Sequence, residues 1–384
     1  MLAVGVTAQA SLSAYHQGLP SIGPALQRYY GLDLVRTGVL LTSIGVGVAL
    51  TLLLWGLATD RFGERLVLGL GLGGSSLALV AASMAHGFAS AVAALLAAGM
   101  LGSVANTASG RVVMAWFAAR ERGTALGIRQ MATPLGGALA AGLLPLVLLR
   151  YGVPGCLLAL AVFAALAAIA SVIWLRPAPG PQRTGGAGGG PSPLRDRRIL
   201  RLALGGSLVV AGQLTFITYV TTFLNQHRGV PLGSAAALLA GVQLSGAAGR
   251  VGVGRLSDML GQRVGLLRWV AVSSGLGLVL TGVLADAPLL LLLPVLVLTG
   301  FFSMVSNGLA FTATGEISGS ARAGTAMGFQ NTFLFAAGVV APILFGALVG
   351  ATAWGWGYLM VGLLAIVGWW ILRPLEAQEK AGWG

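Results

Sequence analysis

The stretch Gly56-Leu57-Ala58-Thr59-Asp60-Arg61-Phe62-Gly63-Glu64-Arg65 lies between two long apolar runs. A second version, Gly254-Arg255-Leu256-Ser257-Asp258-Met259-Leu260-Gly261-Gln262-Arg263, lies between two others. Asp60 and Gly63 correspond to Asp258 and Gly261 at an offset of 198. Two more blocks follow in the same order. Gly99, Val104 and Asn106 match Gly300, Val305 and Asn307, and GTALG at 123–127 matches GTAMG at 324–328, both at an offset of 201. Three ordered blocks at nearly one offset mark an internal repeat. The chain is therefore built from two similar halves.

The medium those halves occupy follows from composition. The 384 residues are 56% hydrophobic and only 9% charged, with a mean hydropathy of +0.88. A soluble domain carries about 25% charged residues. Apolar runs of about 20 residues recur, each long enough to cross a hydrocarbon layer of roughly 30 Å as a helix. Backbone in lipid must satisfy its own hydrogen bonds, which leaves helices or a closed barrel. Barrel strands alternate over about ten residues, and these runs are longer and apolar all round. The expectation is an all-α membrane protein with twelve spans. They fall near 2–24, 35–58, 66–85, 90–115, 123–148, 154–175, 199–224, 232–254, 264–285, 288–313, 323–350 and 353–372. No cleavable signal peptide is evident. The single Cys156 lies in an apolar run and has no second cysteine to pair with.

The net charge of +13 comes from 22 Arg and one Lys against ten acids. In a soluble chain it would suggest nucleic acid, but the basic residues sit in short loops without interleaved aromatics, so no nucleic-acid partner is expected. With the N-terminus inside, the external loops carry only Arg28, Arg36, Arg150 and Arg228. Sixteen other basic residues, Arg61, Arg65, Arg197, Arg255, Arg263 and Lys380 among them, fall inside. That asymmetry places both termini in the cytoplasm. The connection PAPGPQRTGGAGGGPSPLRDRR, rich in Gly and Pro and then basic, reads as a flexible linker. The expected organisation is an N-terminal six-helix bundle over 1–175, a cytoplasmic linker over 176–198, a C-terminal six-helix bundle over 199–373 and a cytoplasmic tail over 374–384. Halves of six spans share one orientation and are related by a pseudo-two-fold axis along the membrane normal. That is a transporter layout, with the binding site expected near the midplane.

Both copies of the opening motif fall in loops assigned to the cytoplasm. Glycines there permit a tight turn and close helix approach. Asp60 and Asp258 can accept hydrogen bonds at a helix N-terminus, where the dipole favours an anion. Arg61, Arg65 and Arg263 can pair with carboxylates or helix ends. Contacts of that kind can form in one domain arrangement and break in another, so the motif suits a conformational latch better than a substrate contact.

These residues resemble the signature loop of the major facilitator superfamily: Gly, three residues, Asp, a basic residue, any residue, Gly, any residue, a basic residue. Gly56, Asp60, Arg61, Gly63 and Arg65 match it in full. Gly254, Asp258, Gly261 and Arg263 keep it except that Met259 replaces the first basic residue. The resemblance covers the whole chain, including WFAARERGTALGIRQ at 116–130, which is similar to the span four–five loop of carriers of organic or inorganic anions. It implies alternating access by rocking of two six-helix domains, with Asp60 stabilising the outward-open state. It also implies a monomer. The Arg-for-Lys bias and abundant Gly, Ala and Leu suggest a GC-rich bacterial genome, and with it a bacterial cytoplasmic membrane as the location.

The spans hold few charges. Arg111 and Arg129 lie in spans four and five at similar depth, about 9 Å inside the cytoplasmic end, and two guanidinium groups at one depth suit a carboxylate or phosphate-like anion. The alternative is that they snorkel to the surface or pin the signature loops. Arg250, near the inner end of span eight, reads as structural. No Asp or Glu lies near mid-span, and His16 is the only ordinary titratable group there, suited to proton exchange near neutral pH. The neutral polar candidates for solute binding are Tyr15, His16 and Gln17 in span one, Gln213 and Tyr219 in span seven, Gln243 in span eight, and Gln330 and Asn331 in span eleven. Asn106 and Asn307, at repeat-equivalent positions, suit either the solute or hydrogen bonds between helices. TPLGG at 133–137 weakly resembles the span-five motif of drug–proton antiporters, and small residues for helix packing explain it as well.

No nucleophile–base arrangement, metal-ligand cluster or phosphate loop is present, so neither enzyme activity, cofactor nor metal is expected. Energy would come from a gradient, with a proton as the candidate coupling ion. The reading these residues favour is a secondary transporter of a small, anionic, organic-acid type solute. A multidrug or metabolite exporter is the alternative, followed by a transporter-like solute receptor.

Overall fold

The computed structural model describes residues 2–106, 122–175, 196–318 and 323–381. Among them every regular element is helical. The first span is α1 (Leu2–Gly18), a 3-10 turn at Leu19–Ile22 and α2 (Gly23–Tyr30). There follow α3 (Leu34–Phe62), α4 (Glu64–Ser83), α5 (Phe88–Gly102) and α6 (Arg122–Trp174). The second half comprises α7 (Arg197–Thr222), continued by a π-helical turn at Phe223–His227, α8 (Leu232–Leu260), α9 (Val264–Val283), α10 (Leu289–Met304), α11 (Ser306–Ser318), α12 (Ala323–Ala351), α13 (Trp354–Ile371) and α14 (Arg373–Lys380).

Among the described residues ten helical stretches are long and apolar enough to cross a membrane. One of them, Gln130–Trp174, is 45 residues long, about twice what a bilayer needs. Its helix is broken at Gly152, which adopts φ 64° and ψ −169°. That residue folds one continuous apolar run into two crossings. Together with the interrupted first span, the count is the expected twelve.

Local chemistry sets the boundaries. The Asp33 carboxylate accepts the Arg36 amide at 2.7 Å and caps α3. Gly63 ends α3 with φ 81°, and Gly261 follows α8 with φ 62°. These are the repeat-equivalent glycines of the two motif copies. Both take the left-handed conformation that side chains resist, so the requirement for glycine at the motif turn is now explained. Gly56 and Gly254 differ: a Cβ there would meet none of the described atoms. The close helix approach expected of the motif glycines is not made at these two by any of the described residues.

The chain folds as two compact units. One is Met1–Gln182 with Ile217–Leu244, and the other is Arg183–Phe216 with Ser245–Gly384. In the first, α3 and α5 meet backbone to backbone: a Cβ at Gly47 would lie 2.6 Å from the Met100 amide, and one at Gly99 would lie 2.9 Å from Ile44 Cα. In the second, α9 and α13 cross at two glycine pairs, Gly275 with Gly362 and Gly282 with Gly355. Lipid provides no hydrophobic drive between helices, so close packing over small residues has to hold them together.

The tail beyond residue 373 is an ordered helix. In α14, Leu375 is fully buried and joins Val264, Leu267, Val270 and Leu372 in one apolar cluster. Glu379 accepts from the amides of Val264 and Gly265 at 2.9 Å, and also from that of Arg263, at the N-terminus of α9. A carboxylate is favoured there by the helix dipole and by otherwise unpaired N–H groups. Glu376 pairs with Arg268, whose guanidinium lies 4.9 Å from the Trp369 ring. Glu379→Ala should remove about 2 kcal/mol from this unit, since hydrogen bonds to a charged group contribute roughly 1.5–3 kcal/mol. The expected readout is a lower melting temperature and faster carboxypeptidase trimming of the tail. Unchanged values for both would remove the capping role.

Candidate functional site

In the first unit the polar candidates divide by partner. Tyr15 is fully buried, and its hydroxyl shares a hydrogen bond with Ser75 at 2.8 Å and donates to the Ala98 carbonyl at 3.3 Å. It is engaged in the packing of α1 against α4 and α5. His16, the next residue, is partly exposed and makes no hydrogen bond with the described residues. Asn106 accepts from Gln9 Nε2 at 3.0 Å, and the same nitrogen approaches Thr133 Oγ1 at 3.4 Å. The Gln9–Asn106–Thr133 cluster joins α1, the helical turn just beyond α5, and α6.

Gln9 escaped the sequence reading. The signal was present, a glutamine inside an apolar run, but it stood apart from the Tyr15–Gly18 group. Its partners lie 97 and 124 residues away.

Gln17 is buried, and its Oε1 has no hydrogen-bond partner among the described residues. Gln243 on α8 is fully buried, with both amide atoms in the same condition. Its side chain rests on Gly137 of α6, where an added Cβ would lie 2.9 Å from Nε2. A Cβ at Gly18 would lie 3.3 Å from the Gly137 carbonyl oxygen. The structure therefore brings the segment holding Gln17 and the Gln243 side chain to the same turn of α6. Tyr219 donates its hydroxyl to the Leu34 carbonyl at 2.9 Å, and Gln226 donates to Gln27.

In the second unit Gln213 Nε2 contacts Met304 Sδ at 3.4 Å, and its Oε1 is unpaired. Gln330 is fully buried and accepts from Thr314 Oγ1 at 2.8 Å. Asn331, beside it, is half-buried. Arg250 donates from Nε to the Met304 carbonyl at 2.8 Å, where α10 gives way to α11. Arg111 and the side chains of Arg129, Asn307 and Asp60 lie outside the described residues. At the 201-residue offset Arg129 corresponds to buried Gln330 and Arg111 to exposed Thr312.

The second motif copy forms a charge cluster. Arg263 Nη1 pairs with Asp258 at 2.6 Å and donates to Ser257 Oγ at 2.7 Å, while Nε pairs with Glu316 at 3.1 Å. Burial by itself would lower the guanidinium pKa, but hydrogen bonds and charge from Asp258 and Glu316 outweigh it and raise it. Asp258 is largely exposed, so solvent weakens that pair. In the first copy Arg61 lies 5.4 Å from the Phe62 ring. Among the described residues no group of three His, Cys, Asp or Glu could hold a metal ion.

Residues 6–342 match the model of the Major Facilitator Superfamily. An uncharacterized MFS-type transporter of Mycobacterium tuberculosis is 32% identical over 95% of this chain and 82% of its own. A hexuronate transporter of Bacillus subtilis is 22% identical over 89% and 86%. In fold, the chain resembles the crystal structure of a bacterial homolog of the human lysosomal transporter Spinster. That match has a TM-score of 0.79 and 13% identity and covers 98% of this chain and 96% of the other.

Proposed function

Because the chain belongs to the Major Facilitator Superfamily, we propose that it is a secondary carrier of a small organic-acid anion. Membership makes it a multi-pass membrane transporter and not an enzyme. The proposal adds that both termini are cytoplasmic in a bacterial inner membrane and that the protein works as a monomer. The six-helix halves over 1–175 and 199–373 alternate access around a central solute site.

The observation that carries the anion reading is the sign of the charge inside the spans. Arg250 is held within α8, Arg111 and Arg129 lie in spans four and five, and no acid lies near mid-span. A charge in lipid is costly and is kept where it has a task. A guanidinium offers a rigid donor fork that matches a carboxylate. The name of the hexuronate carrier, a relative over most of the chain, points the same way.

In this reading Arg129, His16, Gln17, Gln243, Gln213, Gln330 and Asn331 are the solute-facing set. Tyr15, Tyr219 and Arg250 support helices through the bonds described above. The signature loops act as the latch. Asp60 serves in the first copy, and the Asp258–Arg263–Glu316 cluster serves in the second. A proton, exchanged at His16, is the proposed coupling ion.

A thermal-shift screen of the purified protein tests this, because a solute at 100 times its Kd stabilises the folded state by about 2.7 kcal/mol. Carboxylates are expected to raise the melting temperature, with sugars and lipophilic cations inert. The active compounds should then drive counterflow in liposomes. Stabilisation by lipophilic cations alone would replace the anion carrier with an exporter.

A further inference from the structure

The first unit buries more unsatisfied polarity along one seam than helix packing explains. Gln17 Oε1, Ser21 Oγ, Thr221 Oγ1, Thr222 Oγ1 and both amide atoms of Gln243 have no hydrogen-bond partner among the described residues. The five residues are at most 6% exposed. They belong to the first span, α7 and α8. Gln17 lies at the end of α1, and Ser21 lies four residues on, in the 3-10 turn. Thr221 and Thr222 end α7, and a Cβ at Gly23 would lie 2.9 Å from Thr222 Oγ1. Gln243 meets Gly137, the residue against which Gly18 also packs.

A hydroxyl in a helix ordinarily closes onto a carbonyl three or four residues back. Thr37, Thr42, Ser43 and Thr51 of the same unit all do so, at 2.7 to 3.0 Å. Thr221, Thr222 and Ser21 do not. A buried donor or acceptor left unpaired is costly, and folded proteins keep few of them. A layer of them on adjoining elements is a binding surface in waiting.

Its chemistry selects the ligand. Every member is neutral, and hydroxyls and carboxamides both donate and accept. A carboxylate, an acceptor only, is better served by arginine. Among the groups an organic acid carries, hydroxyls match such a surface, since they donate and accept at once. We infer that Gln17, Ser21, Thr221, Thr222 and Gln243 read the hydroxyl groups of the transported solute, which is therefore a polyhydroxylated acid, with Gln243 the main specificity-determining residue. The inference rests on the organic-anion reading above.

The test compares acids of equal carbon skeleton and charge, with and without hydroxyls: glucarate against adipate, and gluconate against hexanoate. Binding to the purified full chain is measured by calorimetry. The wild type should bind each hydroxylated acid at least 100-fold more tightly than its partner, since a site built to hydrogen-bond hydroxyls strongly rejects analogues lacking them. Gln243→Leu should reduce that advantage tenfold or more and leave the deoxy acids unaffected. It should also raise the melting temperature of the unliganded protein, because it removes an unpaired buried amide. A purely structural Gln243 would show the reverse, a lower melting temperature and an unchanged advantage. Should Gln243→Leu fail to fold, Thr222→Val carries the same comparison, and an unchanged advantage there overturns the inference. Equal wild-type affinity within each pair also overturns it while leaving an anion carrier standing. Binding of lipophilic cations and of no carboxylate overturns both.

Discussion

Gly362→Val is expected to abolish recovery of folded protein. The α9–α13 crossing brings Gly275 opposite Gly362 and Gly282 opposite Gly355, the two glycines standing seven positions apart on each helix. The two helices run in opposite directions, so both contacts lie on one continuous seam. A Cβ at Gly362 would stand 2.8 Å from the Val279 amide nitrogen and 2.9 Å from the Gly275 carbonyl oxygen. Those are backbone atoms, which no rotamer change can move, so the helices must separate. A third contact tightens the constraint: a Cβ at Gly368, farther along α13, would lie 2.7 Å from the Gly205 carbonyl on α7.

Overpacking a dense core costs about 1–3 kcal/mol, and more where backbone must shift. Between helices in lipid, lost packing is not offset by burial of apolar surface elsewhere. The measurement is the monodisperse fraction after detergent extraction, read by fluorescence size exclusion. Gly241→Val serves as the control, because a Cβ at Gly241 meets no described atom. Equal yields of the two variants would show that the glycine seam is not what holds α9 to α13.

Arg129→Gln is expected to weaken anion binding by roughly 10- to 100-fold, the equivalent of the 1.5–3 kcal/mol ascribed to a hydrogen bond with a charged partner. Arg129 stands where the second half has Gln330, which is buried within its unit and bonded to Thr314. The substitution therefore installs the side chain that the other half tolerates at the equivalent position, so folding should survive. What is lost is the charge and its bidentate geometry. Arg111→Gln, whose counterpart Thr312 is exposed, should change affinity far less. Calorimetry with the carboxylate chosen by the screen settles the matter. Normal binding by a well-folded Arg129→Gln would leave that arginine a structural role and move the anion site elsewhere.

Much of the fold was legible because hydropathy is a local property. Span length requires only a window of sequence, and twelve crossings came out near the expected positions. The motif turn was legible for the same reason. Gly63 and Gly261 are demanded by the backbone at that point, whatever packs around them.

The site was legible only as a list of residue types. Tyr15, Gln17 and Gln243 look alike as polar residues in apolar runs. Yet Tyr15 is bound to Ser75, 60 residues away, while Gln17 and Gln243 keep unpaired atoms. Gln9 was passed over although it bridges three helices. Glu379, on a segment read only as a tail, caps α9 across 115 residues of sequence. A polar side chain buried in a bundle is defined by its partner, and the partner is nonlocal.

By itself, then, the sequence determined the helical class, the number of crossings, the repeat and its signature loops, since apolar length, loop charge and backbone conformation act within a few residues of one another. The tertiary structure alone decided which glycines carry helix crossings, which buried hydroxyls and amides are satisfied within the bundle, and which keep unpaired atoms among the described residues. Those outcomes depend on distances of a few ångströms between helices far apart in the chain, where one Cβ or one hydrogen bond separates a packed seam from a binding surface.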